Sequence, residues 1–248
     1  METQNKGLFA IILVIVKNFF SPKPDDVFTD VINSKKHVWV IFAGIYVLLS
    51  ALAIMLILSG QIMGMIRSLF GTDFGREFLA DIGGRNVINQ VMREIMPYGG
   101  LFGSGLLLGI ISFVVLSGCI KLLCNFKKLD VCFISVMNIV SLSLIIYNAA
   151  MLVAIIFSFF FIQFSIILIV VGAIGSLIML YNGIQKVISL NSNSFWAFLI
   201  INALHIIIIA LIAGRLLSAV LSGAVENIGT VIEDMLWGGG GGFDDFWW

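Results

Sequence analysis

Charge is what this sequence lacks most. From 131 to 185, fifty-five consecutive residues carry neither a charged side chain nor a histidine. As one helix that run would be about 80 Å long at ~1.5 Å per residue. The hydrocarbon core of a bilayer is only about 30 Å thick. The run must double back, which makes the chain a polytopic membrane protein. The composition agrees: 11% of residues are charged and 60% are hydrophobic, against about 25% and about 45–50% in a soluble domain. Basic residues are scarce too. No more than two stand together and the net charge is zero, which excludes the positive stripe that holds nucleic-acid phosphates.

Histidine and cysteine are nearly missing, and that removes most chemistry. There is no HExxH, no second histidine near His205, no paired carboxylate within a span and no P-loop. Metal and proton-transfer catalysis need titratable groups converging on one pocket, so an enzyme is not expected and neither is a cofactor. Cys119, Cys124 and Cys132 surround a short lysine-bearing loop without forming a CxxC pair. An odd count in that pattern suits neither zinc nor a disulfide framework. Small apolar thiols kept reduced are the plain reading, and S-acylation of Cys124 beside the membrane is the sharper one.

What is present is a set of long apolar segments. Five predicted transmembrane helices cover about 38–59, 99–120, 132–157, 164–181 and 195–214. Glycine and proline are both missing from 119 to 171, so the reversal between the third and fourth spans is weakly marked. Ser158 and Gln163, flanking Phe159-Phe160-Phe161, are the expected turn. Asn191-Ser192-Asn193-Ser194 is an obvious turn before the fifth span.

Amphipathic segments flank the spans. Leu8 to Val16 is too short to cross and fits an interfacial helix better than a signal segment. Pro22 to His37 reads as a short helix with Val27, Phe28, Val31 and Ile32 on one apolar stripe. The longest polar stretch, 60–98, is the expected outer loop. Within it Val87, Ile88, Val91, Met92, Ile95 and Met96 recur at helical spacing before Pro97. Residues 216–237 repeat the amphipathic pattern, and glycines 238–242 then form a flexible link to an acidic, aromatic end. The fold class is therefore all-α: a five-span transmembrane bundle with amphipathic interfacial helices. It divides into an N-terminal segment of residues 1–37, a membrane domain of residues 38–215 and a tail of residues 216–248.

Five spans put the termini on opposite sides. All nine lysines then share a side with the N-terminus, and the five arginines lie on the other. The cytoplasmic side carries the basic excess, so the N-terminus is expected inside and the C-terminus outside.

Two constellations stand out inside the spans. Gly99, Gly103, Gly105 and Gly109 form overlapping small-xxx-small pairs, with Ser112 continuing the second face; such faces let helix backbones approach closely. His205 is the one ionisable side chain well inside a span, with Asn202 three residues earlier on the same face. Asn148, Asn138 and Gln163 are further intramembrane polar groups. A proton or solute relay through His205 is the sharp reading. A neutral imidazole sharing interhelical hydrogen bonds with Asn202 or Asn148 is the plain one, and is preferred.

The order of these segments resembles a known family. Phe19-Phe20-Ser21-Pro22 precedes an amphipathic helix with Val27-Phe28. One span, a long outer loop and four closely spaced spans follow. Leu180-Tyr181-Asn182-Gly183-Ile184 then lies before the last short polar turn. Over about 18–214 this is similar to the bacterial branch of the Yip-domain family. The resemblance implies a five-span α-helical domain with a cytoplasmic N-terminus, and for bacterial relatives it implies no particular reaction. Eukaryotic members are implicated in vesicle trafficking and contact small Rab-type GTPases, but their Asp-Leu-Tyr-Gly-Pro signature is absent here. The expected function is organisation of membrane or partner proteins through helix contacts, in a bacterial cell membrane. Lipid and protein partners, or a second copy, are the implied contacts. A small-solute or ion transporter with a path near His205 is the alternative.

Overall fold

The computed structural model describes residues 38–70, 96–188 and 194–237. The expected helices at 8–16, 22–37 and 87–95, and the glycine-rich tail, lie outside the described residues. Five α-helices make up the rest: α1 Trp39–Phe70, α2 Tyr98–Phe126, α3 Phe133–Ser158, α4 Ile162–Ile188 and α5 Phe195–Trp237. Each contains an apolar window of 25 to 29 residues, enough to cross about 30 Å of hydrocarbon. In lipid every backbone polar group must be satisfied within the segment, and helices do this. The hydroxyls follow the same logic. Ser59, Ser141, Ser143, Ser158 and Ser165 each donate to a carbonyl three or four residues earlier in the chain.

The helices outrun the expected spans. α1 continues through Gly60 and Gln61 to Phe70, so the first stretch of the expected outer loop is helical. Span five and the amphipathic tail at 216–237 form one uninterrupted helix of 43 residues. At ~1.5 Å per residue it is about 65 Å long, roughly twice the hydrocarbon thickness. Its membrane window ends at Gly223, and its last turns project beyond. Nothing in the sequence breaks it: Arg215 adds a charge at the membrane edge but no proline intervenes.

Between α3 and α4 the chain reverses at Phe159-Phe160-Phe161, held by Phe160 and Phe161 N–H groups that donate to the Phe157 carbonyl at 3.0 and 2.7 Å. Backbone bonds make this turn without glycine or proline. Aromatic edges steady it, with Phe157 and Phe164 rings 5.1 Å apart across the two helix ends. The α2–α3 loop is also backbone-tied, Leu129 N–H to the Cys124 carbonyl, with Lys128 at φ 58° in the left-handed region.

Helices α1, α2 and α3 touch one another and form the centre, while α4 packs chiefly on α3 and α5 on α2. The core runs through Val38, Phe42, Leu49, Leu116, Ile120, Ile139, Leu142 and Met151. Half of the α2 and α3 windows is buried, against 28% for α4 and 11% for α5. The outer faces of α4 and α5, with Ile167, Ile178, Ile200 and Leu211 all more than half exposed, are apolar surface of the kind that contacts lipid.

Glycine decides two of these contacts. A Cβ at Gly105 would lie 2.6 Å from Ala51 Cα, and one at Gly109 would lie 3.0 Å from Val47 Cα. Hence α1 and α2 meet backbone to backbone. A second such face joins α4 to α3, where a Cβ at Gly172 would meet Ala150 Cβ at 2.4 Å and one at Gly175 would meet Ile146 Cγ2 at 2.9 Å.

Candidate functional site

The close α1–α2 crossing sets the register of the polar groups above it. One turn beyond Gly109, Ser112 stands halfway along α2 and is buried. Across from it, Tyr46 projects from α1 and donates its hydroxyl to Ser112 Oγ at 3.1 Å. Ser50 is a further hydrogen-bond partner of the same tyrosine. With bulky residues at 105 and 109 the backbones would separate, and a 3.1 Å bond between short groups would not survive. Packing therefore creates the polar contact.

Helix α5 adds the third member. His205 Nε2 lies 3.2 Å from Ser112 Oγ, so one serine joins a tyrosine of α1 to a histidine of α5. Further along, a Cβ at Gly100 would sit 3.2 Å from Val220 Cγ1, which fixes α5 antiparallel to α2. His205 was expected to share bonds with Asn202 or Asn148, and the bond the structure shows runs to Ser112. Asn148 belongs to the α1–α3 contact, where its Nδ2 donates to the Phe42 carbonyl at 3.4 Å.

Asn202 lies one turn before His205 and is 3% exposed. Its Nδ2 donates to the Phe198 carbonyl at 2.8 Å. Its Oδ1 has no partner among the described residues, and neither has Asn148 Oδ1. An orphan buried amide oxygen costs roughly 1–3 kcal/mol, so both mark places where polarity is retained against that cost. Asn138 plays a different role. Its Oδ1 accepts the Trp39 N–H at 3.0 Å, a helix cap supplied to α1 by another helix, where the first turn's amides have no partners of their own.

The glycine face divides. Gly105 and Gly109 are spent on α1, whereas Gly99 and Gly103 have nothing within 4 Å of where a Cβ would be. Sequence reading named all four as candidate contact positions, in two overlapping pairs with Ser112 continuing the second, and passed over Gly172 and Gly175. The signal for the second face was present: Ser165, Gly172, Ser176 and Gly183 place small residues at helical spacing along α4. Tyr46, an aromatic near the start of its span, carries no local sequence signal for this contact, and its partner Ser112 was read only as a small residue.

Little else carries chemistry. Among the described residues no three His, Cys, Asp or Glu side chains converge. Cys119 and Cys124 are buried and Cys132 is exposed. Cys124 is 0% exposed, so acylation there is closed off by packing. The arrangement can hold helices in register through a mid-span hydrogen-bond chain, and it leaves an unfilled acceptor, Asn202 Oδ1, one turn along α5 from that chain.

Comparison with known proteins agrees with this architecture. Neither a curated protein nor a solved structure matches the chain. The Yip1 domain matches residues 17–214, a stretch that takes in α1 to α4 and α5 as far as Gly214. With five apolar membrane-length helices and that match over most of its length, the chain belongs to the Yip1-domain family of multi-pass membrane proteins.

Proposed function

We propose that this protein is a non-enzymatic organiser of the membrane, which holds partner membrane proteins, or a second copy of itself, against its outer helices. One observation carries the reading: α5 rests on α2 and, at its first turn, on Tyr181 of α4, and turns nearly all its remaining apolar perimeter outward, with only 11% of its window buried. The Gly105–Gly109 face is taken up within the chain, so partner contacts fall to α5 and α4. Such contacts would rest on van der Waals packing and interhelical hydrogen bonds, since lipid tails are as apolar as leucine. The lysine distribution supports a cytoplasmic N-terminus, and a bacterial cell membrane is the setting proposed.

The test is photo-crosslinking in native membranes from single probes at Ile200, Leu204 and Leu211, which face outward, with Phe198 as the inward control. Discrete protein adducts from the outward positions are expected. Adducts to lipid alone from all three would overturn the reading.

A second reading, passage of a small solute or ion, is favoured by the mid-span Tyr46–Ser112–His205 chain. Under it, His205→Ala abolishes flux through protein reconstituted in vesicles. Flux unchanged by that substitution would remove it.

A further inference from the structure

We propose that an internal water molecule binds between Asn202 Oδ1 and His205 Nδ1, and that it completes a polar latch holding α5 to α2. Two neighbouring side chains on α5 leave hydrogen-bonding capacity over, and they do so whether or not partners dock on that helix.

Asn202 is 3% exposed and its carboxamide orientation is fixed. Nδ2 must face the Phe198 carbonyl, because the flipped amide would set oxygen against oxygen at 2.8 Å. Oδ1 is thereby turned the other way, buried and without a protein donor among the described residues. Three residues on, His205 uses Nε2 on Ser112 and retains Nδ1. Residues three apart share one helix face, with Cβ atoms about 5–6 Å apart, which puts both side chains within reach of a single bridging water.

Both tautomers of a neutral imidazole lead to the same occupant. If Nδ1 carries the proton, Tyr46 donates to Ser112, Ser112 donates to Nε2, and Nδ1–H donates onward. A water accepts that proton and gives one of its own to Asn202 Oδ1. If Nε2 carries the proton, Ser112 accepts from both Tyr46 and His205. The same water then donates to Nδ1 and to Oδ1. A molecule able to accept one bond and donate two fits either case, and buried waters typically make about three such bonds.

The latch also has a direction. Asn202 Oδ1 only accepts, and its Nδ2 is held by the Phe198 carbonyl, so a proton arriving at the water has no further carrier on α5. The site binds water as a structural member and ends the chain. That distinguishes it from the solute-path reading, which needs a continuation.

The experiment is water-edited solid-state NMR on the full-length protein in liposomes, with the histidine and asparagine side chains labelled. Polarisation from slowly exchanging water should reach His205 Nδ1 and the Asn202 carboxamide in the wild type. It should be lost at His205 in Asn202→Leu and kept in Asn202→Ser, which retains an acceptor. Wild-type protein with no transfer to either side chain would overturn the proposal without any variant being needed. Transfer to His205 that is undiminished in Asn202→Leu would do the same, since the water would then owe nothing to Oδ1.

Discussion

Gly105→Ala adds one methyl group at the tightest point of the α1–α2 crossing. That carbon would lie 2.6 Å from Ala51 Cα, 3.2 Å from Ala51 O and 3.3 Å from Ala51 Cβ. Non-bonded carbons rest at about 3.5–4.0 Å, so the helices must part by roughly 1 Å. Two of the three obstructing atoms are backbone and cannot rotate away. Overpacking of this kind costs about 1–3 kcal/mol. Because the clash is with Cα, the paired change Ala51→Gly should recover only a small fraction of the loss. Gly103→Ala is the internal control. Nothing lies within 4 Å there, and replacing a helical glycine with alanine is worth up to about 1 kcal/mol in the stabilising direction. Reversible unfolding by steric trapping in bicelles measures all three variants. The expected order is Gly103→Ala at or above wild type, with Gly105→Ala and Gly105→Ala/Ala51→Gly both well below. A Gly105→Ala protein as stable as wild type would refute the close crossing, as would full rescue by Ala51→Gly.

Other outcomes follow from the same contacts. At the α3–α4 face the clash is side chain to side chain, Gly172 against Ala150 Cβ at 2.4 Å. Gly172→Ala should therefore destabilise, while Gly172→Ala/Ala150→Gly returns close to wild type in the same unfolding assay. Asn138→Leu removes the cap on Trp39 N–H and should cost about 1–2 kcal/mol, with faster amide exchange confined to the first turn of α1. Tyr46→Phe deletes the hydroxyl that reaches Ser112. Its double-mutant cycle with Ser112→Ala should give a coupling near about 0.6 kcal/mol and not above about 1.7 kcal/mol.

The number of crossings was legible because a charge-free run of 55 residues leaves few solutions in a bilayer. Helix ends were not. Residues such as Gly60, Gln61 and Arg215 signal a membrane edge, and an α-helix continues past such an edge for as long as its backbone bonds within itself. The Phe159–Phe161 reversal lacked the usual turn residues, since its geometry comes from backbone bonds to the Phe157 carbonyl. Small-residue spacing revealed that α2 had a close-contact face, yet spacing carries no information about which helix would meet it. Gly105 and Gly109 met α1, and Gly99 and Gly103 met nothing within 4 Å. His205 was visible as an anomaly in an apolar span. Its partner was not, because a serine 93 positions away leaves no trace in the local pattern.

Cysteine accessibility in sealed vesicles tests the five-pass bundle most directly. In a background lacking Cys119, Cys124 and Cys132, single cysteines are placed at Lys128 and Ser194 and, separately, at Phe160 and Glu226. A membrane-impermeant maleimide should label the first two from one side of the bilayer and the second two from the other. Labelling of Phe160 from the same side as Lys128, or of Glu226 from the same side as Ser194, would contradict the account.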